Sequence, residues 1–184
     1  VTDTMRALEQ LGVASRNRVD AKIIGVTGSA GKTGTKEALY AALDRASLGK
    51  AHRSIKSYNN HVGVPLSLSR MPADTRYGVF EMGMNHPGEL RILTGFVRPH
   101  VAIVTTIAPA HIEFFKDEAA IATAKAEIFE GLTEGGTAII PADSPHCALL
   151  RTKAEPYAAN IVTFGFSPDA DVRCVDPVGA PGGG

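Results

Sequence analysis

The chain of 184 residues is predicted to fold as an α/β domain, a mostly parallel sheet flanked by helices. Three observations predict it. First, Lys22-Ile23-Ile24 runs into the glycine-rich stretch Gly25-Val26-Thr27-Gly28-Ser29-Ala30-Gly31-Lys32-Thr33, and then into Ala38, Leu39, Ala42, Leu43 and Ala46 at helical spacing. Second, Val101 to Ile107 is an apolar, β-branched run that fits a strand buried on both faces. Third, apolar runs of strand length alternate with helical patterns through the rest of the chain.

Residues 2–18 read as a helix capped by Thr2 or Asp3, with Met5, Leu8 and Leu11 on one side. Residues 22–28 are the first strand, and 31–46 the glycine-rich turn and first following helix. A short strand is expected at 50–55. The polar Ser57–Gly63 stretch gives way to a short helix opened by Pro65 and running through Leu68. Tyr77 to Met82 reads as a strand carrying Glu81 at its end. A loop over 83–88 leads a helix to about Phe96. After the Val101–Ile107 strand, residues 108–116 form a loop that carries His111 and Glu113. Asp117 to Leu132 is predicted as one helix, Thr137 to Ile140 as a strand, 144–155 as a helix and Asn160 to Phe164 as a strand. The Gly/Pro-rich tail, residues 178–184, has no periodicity and reads as disordered.

Composition narrows the function. The 19 basic and 19 acidic residues balance, which argues against a nucleic-acid surface because that needs a basic excess. No apolar run approaches the ~20 residues of a membrane span, and no signal peptide opens the chain. Cys147 and Cys174 are not at metal-ligand spacing, and two thiols fit a reducing compartment, so a cytoplasmic location is expected.

The chemistry centres on the glycine-rich stretch. A strand, a glycine turn ending in Gly31-Lys32-Thr33 and a helix are the context a phosphate-binding loop needs, with a glycine-rich turn that binds nothing as the bland reading. Backbone N–H groups and the helix N-terminus face phosphate oxygens, Lys32 reaches the β- and γ-phosphates, and the Thr33 hydroxyl holds Mg²⁺. Val26 stands where the usual pattern has its first glycine. Ligands in open α/β sheets sit at the carboxyl ends of strands. Glu81 ends a strand there and is a candidate Mg²⁺ ligand, with a solvated strand end or an ion pair as the bland reading. His111 follows another strand, and a loop histidine is as often polar surface. Lys125 breaks the stripe Ile121, Lys125, Ile128, Leu132. Either it snorkels at the edge of that stripe, or it is a lysine of altered chemistry. Asn59-Asn60 binds adenine, positions its loop, or forms a turn. Asn85 and His86 face a substrate or cap the following helix.

Taken together these residues resemble the Mur ligases, the amide-forming enzymes of peptidoglycan precursor synthesis. The stretch Thr27-Gly28-Ser29-Ala30-Gly31-Lys32-Thr33 is similar to their phosphate loop, including the absent first glycine. Within the family, five further blocks resemble the branch that adds D-alanyl-D-alanine. They are Gly34-Thr35-Lys36-Glu37, Tyr58 to Pro65, Glu81 to Glu89, Ala108-Pro109-Ala110-His111 and Ala124 to Phe129. The resemblance extends to about Val175.

It implies an ATP-binding, P-loop NTPase-like central domain over 21–177 that is incomplete at its C-terminal end, a helix over 1–20 leading in from an N-terminal UDP-sugar domain, and a C-terminal ligase domain outside this chain, so that the chain alone is expected to be an inactive fragment. It implies a cell-wall ligase that moves the γ-phosphate of ATP to the carboxylate of UDP-MurNAc-tripeptide. D-Ala-D-Ala then attacks the acyl phosphate to give an amide, ADP and phosphate. By resemblance, Thr27, Gly28, Ser29, Ala30, Gly31, Lys32, Thr33, Gly34 and Asn60 hold ATP, and Lys32, His111 and Lys125 are catalytic. Thr33 and Glu81 hold one Mg²⁺, while His111 and Lys125, the latter as a carbamate, serve a second. Asn85 and His86 meet the substrate, and a monomer is expected. A ligase resembling folylpolyglutamate synthase shares the loop and the chemistry, and a small-molecule kinase fits the loop alone. A GTPase is disfavoured because the chain has no Asn-Lys-x-Asp motif.

Overall fold

The computed structural model describes residues 3–109 and 115–175. The elements are α1 (Thr4–Asn17), β1 (Lys22–Thr27), α2 (Lys32–Ala46), β2 (Ala51–Arg53), α3 (Gly63–Ser69), β3 (Tyr77–Glu81), α4 (Glu89–Val97), β4 (Val101–Val104), α5 (Glu118–Ala126), β5 (Thr137–Pro141), α6 (Cys147–Ala154), β6 (Asn160–Gly165) and β7 (Val172–Arg173). The strands form one sheet in the order β2-β3-β1-β4-β5-β6-β7, and every described pairing is parallel. The order reverses at β1, whose neighbours are β3 and β4. That reversal opens a crevice at the carboxyl ends of these three strands.

Alternating residues of the strands feed two cores. Ile24, Val26, Val79 and Ile103 face α2, where Leu39 and Leu43 meet them. Ile23, Phe80, Ala102, Val104, Ala138 and Ile140 face the other way, into a larger core with α3, α4, α5 and α6. Buried alternation on both faces is what an interior parallel sheet requires.

Several expectations are corrected. Asp3 caps α1 by accepting from the Arg6 N–H at 3.0 Å, but the face that packs is Gly12, Ser15 and Arg16, while Leu11 is 60% exposed. The reason is Arg16, whose guanidinium donates to the carbonyls of Val97 (2.8 Å) and Arg98 (3.0 Å) at the end of α4 and fixes the rotation of α1. Helix α3 opens at Gly63, with Pro65 inside its first turn. The fourth strand stops at Val104 because Thr105 and Thr106 turn away to bond the phosphate loop. The predicted helix over 117–132 is two pieces, α5 capped by Asp117 and then a 3-10 turn over Glu127–Gly131. The Thr94 hydroxyl takes the Ile128 carbonyl at 2.8 Å in place of a helical N–H. Helix α6 begins at Cys147 rather than 144, and β7 was not anticipated. The expected tail, 178–184, lies outside the described residues.

Candidate functional site

The phosphate loop, 27–33, is clamped to the exit of β4. The Ser29 N–H donates to the Thr106 carbonyl at 2.8 Å, and the Thr105 N–H to the Thr27 carbonyl at 2.9 Å. The Thr105 hydroxyl donates to the Ala30 carbonyl at 2.6 Å. Ser29 Oγ both donates to the Ala108 carbonyl (2.9 Å) and accepts from the Ala108 N–H (3.0 Å). Gly28 has φ +154°, and a Cβ there would lie 1.9 Å from Thr105 Oγ1, so only glycine lets the two segments meet. Gly31, at φ 81°, starts α2 without a side-chain cap. The first amides of α2 are thus left for a ligand. Lys32 Nζ donates to the Gly28 carbonyl at 2.7 Å, and burial lowers its pKa against the opposing pull of Glu81. Thr27 Oγ1 is buried without a partner among the described residues.

At the head of the loop, Thr33 Oγ1 donates to Glu81 Oε2 at 2.9 Å. Glu81 is 1% exposed at the carboxyl end of β3, which pairs with β1, so sheet register alone brings it to the loop. Its other oxygen accepts from Asn59 Nδ2 at 2.8 Å, and its N–H donates to the Ser54 hydroxyl at 3.1 Å. The Asn59 carbonyl takes the Gly83 N–H at 2.8 Å. Asn59 therefore positions Glu81. A hydroxyl and a carboxylate beside a phosphate loop fit a Mg²⁺ ion, which takes one or two protein oxygens and completes its shell with phosphate and water. Among the described residues no group of three or more His, Cys, Asp or Glu side chains gathers to hold a metal.

Lys125 is 3% exposed, so it does not snorkel. No carboxylate pairs with it among the described residues. Burial first, and the charge of Lys32 second, lower its pKa to about 8. The stripe holds in burial, with Ile121 and Ile128 fully buried beside it and Leu132 packed at the margin.

The remaining predicted residues divide. Asn59, Asn60, His61, Met84, Asn85 and His86 line a cavity of about 490 Å³ next to Glu81. Asn60 Oδ1 accepts from the Val62 (3.2 Å) and Gly63 (2.9 Å) N–H groups, so it caps α3. Glu89 accepts from the Asn85 N–H at 2.7 Å and meets His86 Nδ1 at 3.2 Å, which orders that turn. His111 lies outside the described residues. A second cavity, about 430 Å³, lies beside Gly31 and Thr35 over Ile103, Ile139 and Phe164.

Sequence reasoning missed Lys36, Thr105 and Glu127. Lys36 is fully buried against Glu81. Glu127 accepts the Gly88 N–H (2.8 and 2.9 Å) and the Arg91 N–H (3.3 Å), capping α4 from another element. For Lys36 the signal was present, because Lys36, Leu39 and Leu43 share one helix face.

Comparison with known proteins places this arrangement in a lineage. A family model described as the Mur ligase middle domain matches residues 26–176. The UDP-N-acetylmuramoyl-tripeptide–D-alanyl-D-alanine ligase of Rickettsia prowazekii is 37% identical over 177 residues, covering 95% of this chain and 39% of the relative. A crystal structure of MurF from Acinetobacter baumannii superposes with a TM-score of 0.85 at 36% identity, covering 93% of this chain and 37% of that one. The MurF ligase of Thermotoga maritima, solved in complex with ADP, gives 0.81 at 30% identity, over 93% and 38%. The chain thus spans about two fifths of the length of these relatives. It belongs to the Mur ligase family, and residues 26–176 are the middle domain of that family.

Proposed function

We propose that this chain is the ATP-binding part of an ADP-forming ligase that adds D-Ala-D-Ala to UDP-MurNAc-tripeptide through an acyl phosphate. The observation that carries the reading is the 2.9 Å contact between Thr33 Oγ1 and Glu81 Oε2 at the head of the phosphate loop. The names of the relatives support the choice of acid and amine.

The loop amides from Gly28 to Gly34 and the ammonium of Lys32 bind the triphosphate, Lys32 exchanging the Gly28 carbonyl for phosphate oxygens. Thr33 and Glu81 hold Mg²⁺, with Asn59 fixing the carboxylate. An ion held there would supply positive charge to the phosphoryl group being transferred. The peptide carboxylate attacks the γ-phosphorus and ADP leaves. The amine of D-Ala-D-Ala then attacks the acyl carbon, phosphate leaves, and the amine gives up a proton. The chemistry needs charge neutralisation and in-line placement more than a nucleophilic side chain. The cavity between Asn59 and His86 is the place for the acid, with Asn85 and His86 as its donors.

Lys125 and His111 are the residues that would hold a second Mg²⁺. A lysine with a pKa of about 8 carries roughly a tenth of its population as free amine at pH 7, far more than an ordinary lysine. That amine adds CO₂ to give a carbamate, releasing one proton, and so presents oxygen to the metal. Lys32 nearby favours the anionic product. No described helix is long and apolar enough to cross a membrane. A cytoplasmic, monomeric enzyme is the reading we carry forward.

The test is a chimera in which this chain replaces the matching segment of the Rickettsia prowazekii ligase. ADP release that requires both UDP-MurNAc-tripeptide and D-Ala-D-Ala, with an amide product, is the expected result. Release that ignores D-Ala-D-Ala and yields a stable phosphorylated product would establish a kinase instead.

A further inference from the structure

Helix α2 has a single buried residue, and it is a lysine. Lys36 is 0% exposed on the face that Leu39 and Leu43 use to reach the sheet. Burying an ammonium is costly, and a hydrocarbon side chain would fill the space without that cost. Nothing in the proposed reaction uses it. Its partners show what it does. Nζ donates to the Lys56 carbonyl at 2.5 Å and lies 3.1 Å from Glu37 Oε1 and 3.8 Å from Glu81 Oε2. Glu37 is in turn held by Arg53 Nε at 2.8 Å, and the Arg53 guanidinium stacks over the Tyr40 ring at 3.8 Å. The charges alternate from the surface inward: Arg53, Glu37, Lys36, Glu81.

The Glu81 oxygen that Lys36 meets is Oε2, the same atom that accepts from Thr33. An ion held between Thr33 and Glu81 therefore has a buried ammonium as its neighbour. With no nucleotide, Glu81 is already compensated by that cation, and a divalent ion meets repulsion that the protein interior screens poorly. The anionic phosphates of a nucleotide reverse the balance. We propose that Lys36 is a resident counter-cation that makes divalent-metal binding at Thr33 and Glu81 conditional on a bound nucleotide. The same ammonium ties α2 to the segment 54–60, through the carbonyl of Lys56 at φ 52°, and so sets where Asn59 stands. Lys36 is a positioning residue, acting through Glu81. The inference rests on the proposed reading of Thr33 and Glu81 as metal ligands.

The probe is Mn²⁺, followed by loss of the free-ion paramagnetic resonance signal on titration into this chain. Without nucleotide, Lys36→Met should bind Mn²⁺ at least tenfold more tightly than the unaltered chain. Adding ADP should tighten the unaltered chain far more than the variant, closing the gap to less than threefold. Glu37→Gln, which strips Lys36 of its screen, should weaken nucleotide-free Mn²⁺ binding about threefold. A lysine with a merely structural role predicts unchanged or weaker Mn²⁺ binding in Lys36→Met, and that result overturns the proposal. If Lys36→Met does not fold, Glu37→Gln decides, and an unchanged affinity there overturns it. Failure of the unaltered chain to bind ADP would overturn the phosphate-loop reading, while the nucleotide-free titrations still judge Lys36.

Discussion

Replacing Gly28 by alanine tests the clamp between the phosphate loop and β4. The added Cβ would sit 1.9 Å from Thr105 Oγ1 and 3.1 Å from the Thr106 N, on a residue whose φ is +154°. Holding a non-glycine residue in that backbone region costs roughly 1–3 kcal/mol. Displacing the Thr105 hydroxyl forfeits its bond to the Ala30 carbonyl, worth roughly 0.5–1.5 kcal/mol. Together these give a loss of about 2–4 kcal/mol, and in a domain of this size each kcal/mol moves Tm by about 2–4 °C. Thermal denaturation of the chain should therefore show Gly28→Ala melting roughly 5–15 °C lower. Thr105→Ala alone loses the hydroxyl's contacts with the Ala30 (2.6 Å) and Thr27 (3.2 Å) carbonyls, without the backbone strain. In the double variant the 1.9 Å contact is gone, so its loss should fall short of the sum of the singles by the once-counted hydrogen bond, roughly 0.5–1.5 kcal/mol. Strict additivity, or a Gly28→Ala chain within about 0.5 kcal/mol of the original, refutes the close approach.

Lys32→Ala should weaken ATP binding about 10- to 150-fold by calorimetry, because a charge-assisted contact contributes roughly 1.5–3 kcal/mol. Lys125→Ala in the chimera should abolish ligation while ATP affinity changes less than about threefold, and a short carboxylic acid in solution should restore part of the turnover by filling the lost ligand position. His100 Nδ1 accepts from the Ile23 N–H at 3.0 Å, and burial, then Arg16 and Lys22, hold its pKa below the ordinary 6.5. A depressed pKa means this contribution is full above pH 6.5 and is lost as pH falls through the folded-state value. Melting curves from pH 7 to 5 should accordingly fall less steeply for His100→Gln, which keeps an acceptor and does not titrate.

Glu81 was legible in the sequence because a strand end beside a phosphate loop has one geometric meaning in a parallel sheet. Lys125 was legible as a breach of periodicity, and its burial confirms the breach. Lys36 breaks the same rule in α2, but the alanines and leucines after it drew the stripe without it. Asn59 holds Glu81 across 22 positions of chain, and Glu127 caps α4 across 39, separations that no local pattern encodes. The early end of β4 was hidden for the opposite reason. Thr105 and Thr106 have strand propensity, and only the pull of Ser29 and Ala30 takes them out of the sheet.

Two helices in this fold begin alike. Gly31 opens α2 at φ 81° and Gly88 opens α4 at φ 89°, both left-handed, neither with a cap from its own side chain. To an anion arriving from solvent they would be rival addresses, each a ring of unspent amides at the positive end of a dipole. Glu127 removes the rivalry by lodging its own carboxylate in the second address, leaving the one that Lys32 and Thr33 serve on the proposed reading. On the proposed reading, the start of α2 stays open to phosphate while a carboxylate from the turn after α5 already fills the start of α4.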